Sequence, residues 1–134
     1  MSSSTLPSIL FVEDNPEVRL LLEQILEGTY DLVLAADAEE ALGILGGEEF
    51  DLFLLDIKLG EGRSGTELLH LLRDLEPTAS VPAVALTTYG LKGDREALLA
   101  EGFDEHVSKP FFRDELTEVI EQVLLGRTSS ASKS

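Results

Sequence analysis

Five residues in this chain could do chemistry together: Glu13, Asp14, Asp56, Thr87 and Lys109. Each closes or directly follows an apolar run. Ile9-Leu10-Phe11-Val12 runs into Glu13-Asp14, Leu52-Phe53-Leu54-Leu55 into Asp56, Ala83-Val84-Ala85-Leu86 into Thr87, and the short stretch from Phe103 to Ser108 into Lys109. Three carboxylates brought to one place repel one another, and the usual relief is a proton or a hard cation. Mg²⁺ suits such a set, because it takes oxygen ligands, keeps several waters and is commonly held by one or two carboxylates with a phosphate oxygen. A cation there would let Asp56 attack phosphorus, with the Thr87 hydroxyl and the Lys109 ammonium each placed for a phosphoryl oxygen.

The elements between these residues must bring them together. Unbroken apolar runs of this length read as strands buried on both faces of a parallel sheet. Between them lie helical patterns. Asn15-Pro16-Glu17 supplies an N-cap, a first-turn proline and an acid at the positive helix end, with Val18, Leu21, Leu22 and Ile25 as the inner face and Gly28 as the stop. A second strand is expected from Tyr30 to Ala36 and a second helix from a capping box at Asp37-Ala38-Glu39-Glu40 to near Gly46-Gly47. Ser64-Gly65-Thr66-Glu67 caps a third helix with Leu68, Leu71, Leu72 and Leu75 inward, broken by Pro77. Asp94 caps a fourth that ends at Glu101, before Gly102. The fifth helix is expected from about Phe112 to Leu125, its inner face Leu116, Val119, Ile120, Val123 and Leu124.

Five strand–helix alternations with short connections predict an α/β fold, a doubly wound, flavodoxin-like five-stranded parallel sheet. Strand order 2-1-3-4-5 makes the first and third strands neighbours at the switch point, where Glu13, Asp14 and Asp56 would meet. The expected organisation is a disordered lead over residues 1–7, one domain over 8–125 and a flexible polar tail over 126–134.

Composition narrows the function classes. With 26 acidic against 10 basic residues, the formal charge of -16 argues against nucleic acid and anionic membrane as partners. The absence of cysteine removes disulfide and thiolate chemistry. No signal-like or membrane-spanning segment is evident, so a cytoplasmic protein is expected.

The segments Ile9 to Pro16, Asp51 to Asp56, Ala85 to Tyr89 and Val107 to Phe111, in that order, resemble the receiver domain of two-component response regulators and are similar to the chemotaxis response regulator. The resemblance spans roughly residues 8 to 125. It implies a module that accepts a phosphoryl group on Asp56 from a histidine kinase or a histidine phosphotransfer protein, with Mg²⁺ held by Glu13, Asp14 and Asp56 and the phosphoryl oxygens bound by Thr87 and Lys109. It also implies a cis peptide before Pro110, a switch through Thr87 and His106, and an output face on the fourth helix, fifth strand and fifth helix that binds a downstream protein. Such a module is not a turnover enzyme, and it is a monomer or weak homodimer. The alternatives within this class are a receiver cut from a hybrid kinase or larger regulator and an interaction module independent of phosphorylation.

The chain departs from the family pattern after Asp56, where Gly60 stands in place of a proline and Gly65 comes nine positions on, one later than usual. Thr88 replaces a smaller residue beside the pocket and is expected to narrow it. Lys58 and Tyr89 flank the expected path of a hydrolytic water and would prolong the phosphorylated state. A phosphohydrolase with an aspartate nucleophile needs a second acid two positions on, where this chain has Lys58. A flavodoxin-like nucleotide binder needs a Ser/Thr/Gly loop after the first strand, where this chain has Glu13-Asp14-Asn15-Pro16. His70 is expected to be an ordinary surface histidine, with no acid at ligand spacing and no place in the family pattern.

Overall fold

The apolar runs become the five strands of one sheet. In the computed structural model these are β1 (Ser8–Val12), β2 (Asp31–Ala35), β3 (Leu52–Asp56), β4 (Ala83–Thr87) and β5 (Glu105–Ser108). They alternate with α1 (Pro16–Leu26), α2 (Ala38–Leu45), α3 (Gly65–Arg73), α4 (Lys92–Glu101) and α5 (Arg113–Lys133). The structure describes residues 6–45, 49–59, 64–75, 78–87, 92–109 and 111–133, apart from the side chains of 92–94 and 127–133. Every pairing is parallel and the order is β2-β1-β3-β4-β5, as the switch-point argument requires.

Strand alternation sorts the core into two halves. Leu10, Val12, Phe53, Leu55, Ala83 and Ala85 face one way, onto Ala38 and Ala41 of α2 and Leu68, Leu69 and Leu72 of α3. Ile9, Phe11, Leu52, Leu54, Val84 and Leu86 face the other, onto Leu22, Ile25 and Leu26 of α1 and Leu116 and Ile120 of α5. The central strand β3 is therefore buried along its whole length, which is why its sequence is an unbroken run.

The helix starts follow local chemistry. The Asn15 side chain accepts from the Glu17 and Val18 amides, and Ser64 and Glu67 form a reciprocal capping box. Gly28, with φ +86°, takes the left-handed turn that lets the chain leave α1 for β2.

Four expectations need correcting. Leu21 is 44% exposed, and its place in the core is taken by Leu26. Likewise Leu69 is buried in α3 while Leu75 is 45% exposed and Leu71 only half-buried. Adjacent leucines lie about 100° apart around a helix, so only some can face a sheet, and the strand beneath selects which. Asp94 does not cap α4, which begins two residues earlier at Lys92. Finally, α5 does not end near Leu125 but passes through Gly126 and stays helical as far as Lys133. A glycine inside a helix costs only about 1 kcal/mol relative to alanine. No proline follows Gly126 to stop the helix.

Candidate functional site

The sheet register delivers the acids. Val12 pairs with Leu55, so the residues that follow, Glu13 and Asp56, leave neighbouring strands side by side. Asp56 pairs in turn with Leu86, one residue before Thr87, and Thr87 pairs with Ser108, one residue before Lys109. The ends of β1, β3, β4 and β5 thus present the four residue types together. Glu13 is 1% exposed, Asp56 4% and Thr87 3%, whereas Asp14 faces solvent.

The Lys109 ammonium lies 2.9 Å from Glu13 Oε1 and 2.7 Å from Asp56 Oδ2, tying β5 to β1 and β3 through side chains alone. The remaining carboxylate oxygens meet backbone. Asn15 N–H donates to Glu13 Oε2 at 3.0 Å, and Lys58 N–H donates to Asp56 Oδ1 at 3.1 Å. The Lys109 amide also donates to the Thr87 carbonyl at 2.7 Å, which fixes the lysine's starting point on β5.

One ammonium faces more negative charge than it can neutralise. Burial pushes the Glu13 carboxyl up to about 7, and the adjacent Asp56 adds to that rise against the opposing pull of Lys109. Burial disfavours the Lys109 charge too, yet its bonds to Asp56 and Glu13 outweigh that and hold its pKa above the ordinary lysine value. Glu13, Asp14 and Asp56 can each offer an oxygen, all within 4.8 Å of one another. Such a cluster suits a hard divalent cation.

Sequence reasoning missed how Gly65 serves this site. A Cβ on Gly65 would overlap the Asp56 carbonyl oxygen and stand 2.8 Å from the carbonyl carbon, while the Gly65 amide donates to the Ile57 carbonyl. The first residue of α3 is packed directly on the backbone that carries Asp56, a contact for which only glycine has room. The glycine-rich composition between Ile57 and Gly65 was the available signal.

A family model described as the response regulator receiver domain matches residues 9–121. The chain belongs to this family. The receiver is 32% identical over 118 residues to the polar-differentiation response regulator DivK of Brucella ovis, covering 87% of this chain and 95% of DivK. It is 34% identical over 121 residues to the sensor histidine kinase GacS of Pseudomonas protegens, covering 88% of this chain but 13% of GacS. Among solved structures, the receiver domain of the sensor histidine kinase PA1611 from Pseudomonas aeruginosa superposes with a TM-score of 0.79 at 32% identity, covering 90% of this chain and 98% of that one. That structure holds a magnesium ion in its active site cleft. This chain is thus a receiver of two-component signalling on a five-stranded flavodoxin-like fold.

The other expected site residues are more dispersed. Lys58 is exposed and reaches Asp56 through its backbone amide. His106 lies on β5 opposite Ala85; its Nδ1 is buried without a hydrogen bond and stands 3.6 Å from Glu105 Oε1. Thr88, Tyr89 and Pro110, with the expected cis peptide, lie outside the described residues. His70 is at the surface, and its Nε2 meets Glu101 Oε1 at 2.7 Å, an acid from α4 that no spacing along α3 could reveal. Among the described residues no helix is long and apolar enough to cross a membrane.

Proposed function

We propose that Asp56 is the phosphoryl acceptor of this receiver and that Mg²⁺ is its cofactor. The observation that carries the reading is a buried Asp56 at the end of β3, with the Lys109 ammonium on one oxygen and two further acids within ligand reach. In the transfer, an Asp56 carboxylate oxygen attacks the phosphorus of a phosphohistidine on a histidine kinase or phosphotransfer protein. The P–N bond breaks as the P–O bond forms, and the imidazole leaves with the electron pair and takes up a proton. Glu13, Asp14 and Asp56 would hold Mg²⁺, which would supply positive charge to the phosphoryl oxygens. Asn15 N–H and Lys58 N–H hold the Glu13 and Asp56 carboxylates in orientation. Lys109 follows the charge from the carboxylates onto the phosphoryl group, and Thr87 donates its hydroxyl to another phosphoryl oxygen.

The receiver takes up one group and holds it; it is not a turnover enzyme. Movement of Thr87 is coupled to His106 on the neighbouring strand, and this alters the face of α4, β5 and α5 that binds a downstream protein. Lys58, with Thr88 and Tyr89, tunes how long the phosphoryl group persists. The family, the exclusion of nucleic acid and anionic membrane by charge, and the relatives' association with histidine kinases support the reading and a cytoplasmic setting.

Incubation with acetyl phosphate, read by intact-protein mass, tests it. A Mg²⁺-dependent gain of one phosphoryl group, absent from Asp56→Asn, is expected. No gain by the folded, Mg²⁺-bound protein would overturn it in favour of an interaction module independent of phosphorylation.

A further inference from the structure

The helix α1 keeps leucines on its outer side as well as its inner one. Leu20 is 55% exposed, and it lines a groove of about 620 Å³ together with Leu6, which is 38% exposed, and Leu32 of the edge strand β2. Among the described residues, the charged ones lining this groove are all acids: Glu23 and Glu27 from the end of α1, and Asp31 from the start of β2. Glu23 and Glu27 stand one turn apart on one helix face, where like charges disfavour the helix. They also sit at the negative pole of α1, whose last turn has no basic residue and whose C-cap is Glu27 itself. An apolar floor beside the Glu23 and Glu27 carboxylates is the complement of one kind of ligand: apolar side chains to cover the leucines, with lysine or arginine heads reaching outward to the acids.

We propose that this groove docks a basic amphipathic helix of a partner protein. The surface lies toward the end of α1 away from Glu13 and Asp14, and the proposal does not depend on phosphoryl transfer to Asp56. A second copy of this chain is a poorer occupant, because it would bring the same three acids and its own charge of -16. Binding should weaken with added salt, since the charged part of the contact lies at a solvated rim.

A synthetic helical peptide of leucine and lysine, titrated while backbone amides are followed by NMR, tests the proposal. Saturable binding is expected, with the largest shifts confined to residues 20–32. Leu20→Ser and the pair Glu23→Gln with Glu27→Gln should each weaken binding about tenfold. A counterpart peptide with serine in place of leucine should not saturate. Shifts spread evenly over the acidic surface, or affinity unchanged by both variants, would overturn the proposal. So would a peptide-free dimer in sedimentation that Leu20→Ser abolishes, which would make the groove a contact between copies. All three substituted positions are at the surface, and an unchanged urea midpoint checks that each variant is folded.

Discussion

The two ends of the sheet treat charge in opposite ways. At the amino end of β4 and β5, the Arg73 guanidinium closes α3 onto two loops by donating to the carbonyls of Val81 at 2.6 Å, Gly102 at 3.0 Å and Ala79 at 3.2 Å. Asp104 stands 3.4 Å from it and accepts from the Ala83 amide at 2.8 Å. Burial lowers the arginine's pKa, and Asp104 opposes that fall. There each charged group has a partner that fits. At the carboxyl end, Glu13 and Asp56 share one ammonium with the exposed Asp14 beside them, and burial drives Glu13 toward its neutral form. An end built to hold loops satisfies its charges, while an end built for chemistry keeps an excess that a ligand must settle.

The strongest way to break that contrast is Arg73→Ala. It should cost on the order of 3 kcal/mol, because several carbonyls and Asp104 lose a charged donor at once. Phosphoryl uptake by the molecules that remain folded should be unaltered. A urea midpoint within experimental error of wild type would show that the clamp contributes nothing. Gly65→Ala strikes the other end and should behave differently. Pushing a methyl against the Asp56 carbonyl should cost about 1–3 kcal/mol, but its larger effect should be slower phosphorylation, since the displaced backbone carries the proposed acceptor. Equal phosphorylation rates for Gly65→Ala and wild type would refute a positioning role.

The excess charge also sets a pH dependence. Glu13 binds its proton more tightly in the folded chain, with a pKa of about 7 against 4.5 for the free group. The folded state therefore holds more protons across this window, and Mg²⁺-free stability should fall as pH rises through it. The contribution is complete below 4.5 and lost above about 7. Mg²⁺ needs the carboxylate, so its affinity should rise over the same interval. The difference in urea midpoint between wild type and Glu13→Gln isolates the effect from the other acids. A difference that does not vary between the two ends of the window would sink the prediction.

The strands and their contribution to the site were legible because β1, β3, β4 and β5 each lead directly into the residue they position, so the order of those strand ends is also the composition of the pocket. The order β2-β1-β3-β4-β5 followed from asking which neighbours would unite Glu13 with Asp56. Properties that depend on distant chain were hidden. Which of Leu20, Leu21 and Leu22 turns inward depends on the sheet beneath α1, and the raised Glu13 pKa depends on burial that no local pattern reports. The Gly126 signal misled because a helix tolerates a weak residue when nothing sterically forbids continuation.

The His70–Glu101 pair shows the same limit and yields the smallest expected effect. The residues are 31 positions apart and join α3 to α4 at 2.7 Å, yet their side chains are 54% and 46% exposed. Water screens such a pair, and holding two side chains in place offsets much of the attraction. Glu101→Gln should therefore change stability by no more than about 0.5 kcal/mol. A double-mutant cycle with His70→Ala measures the coupling directly. A coupling of about 2 kcal/mol or more would mean that α3 and α4 are clasped as firmly here as Arg73 clasps the loops nearby, and the division between a satisfied end and an expectant one would need a third region.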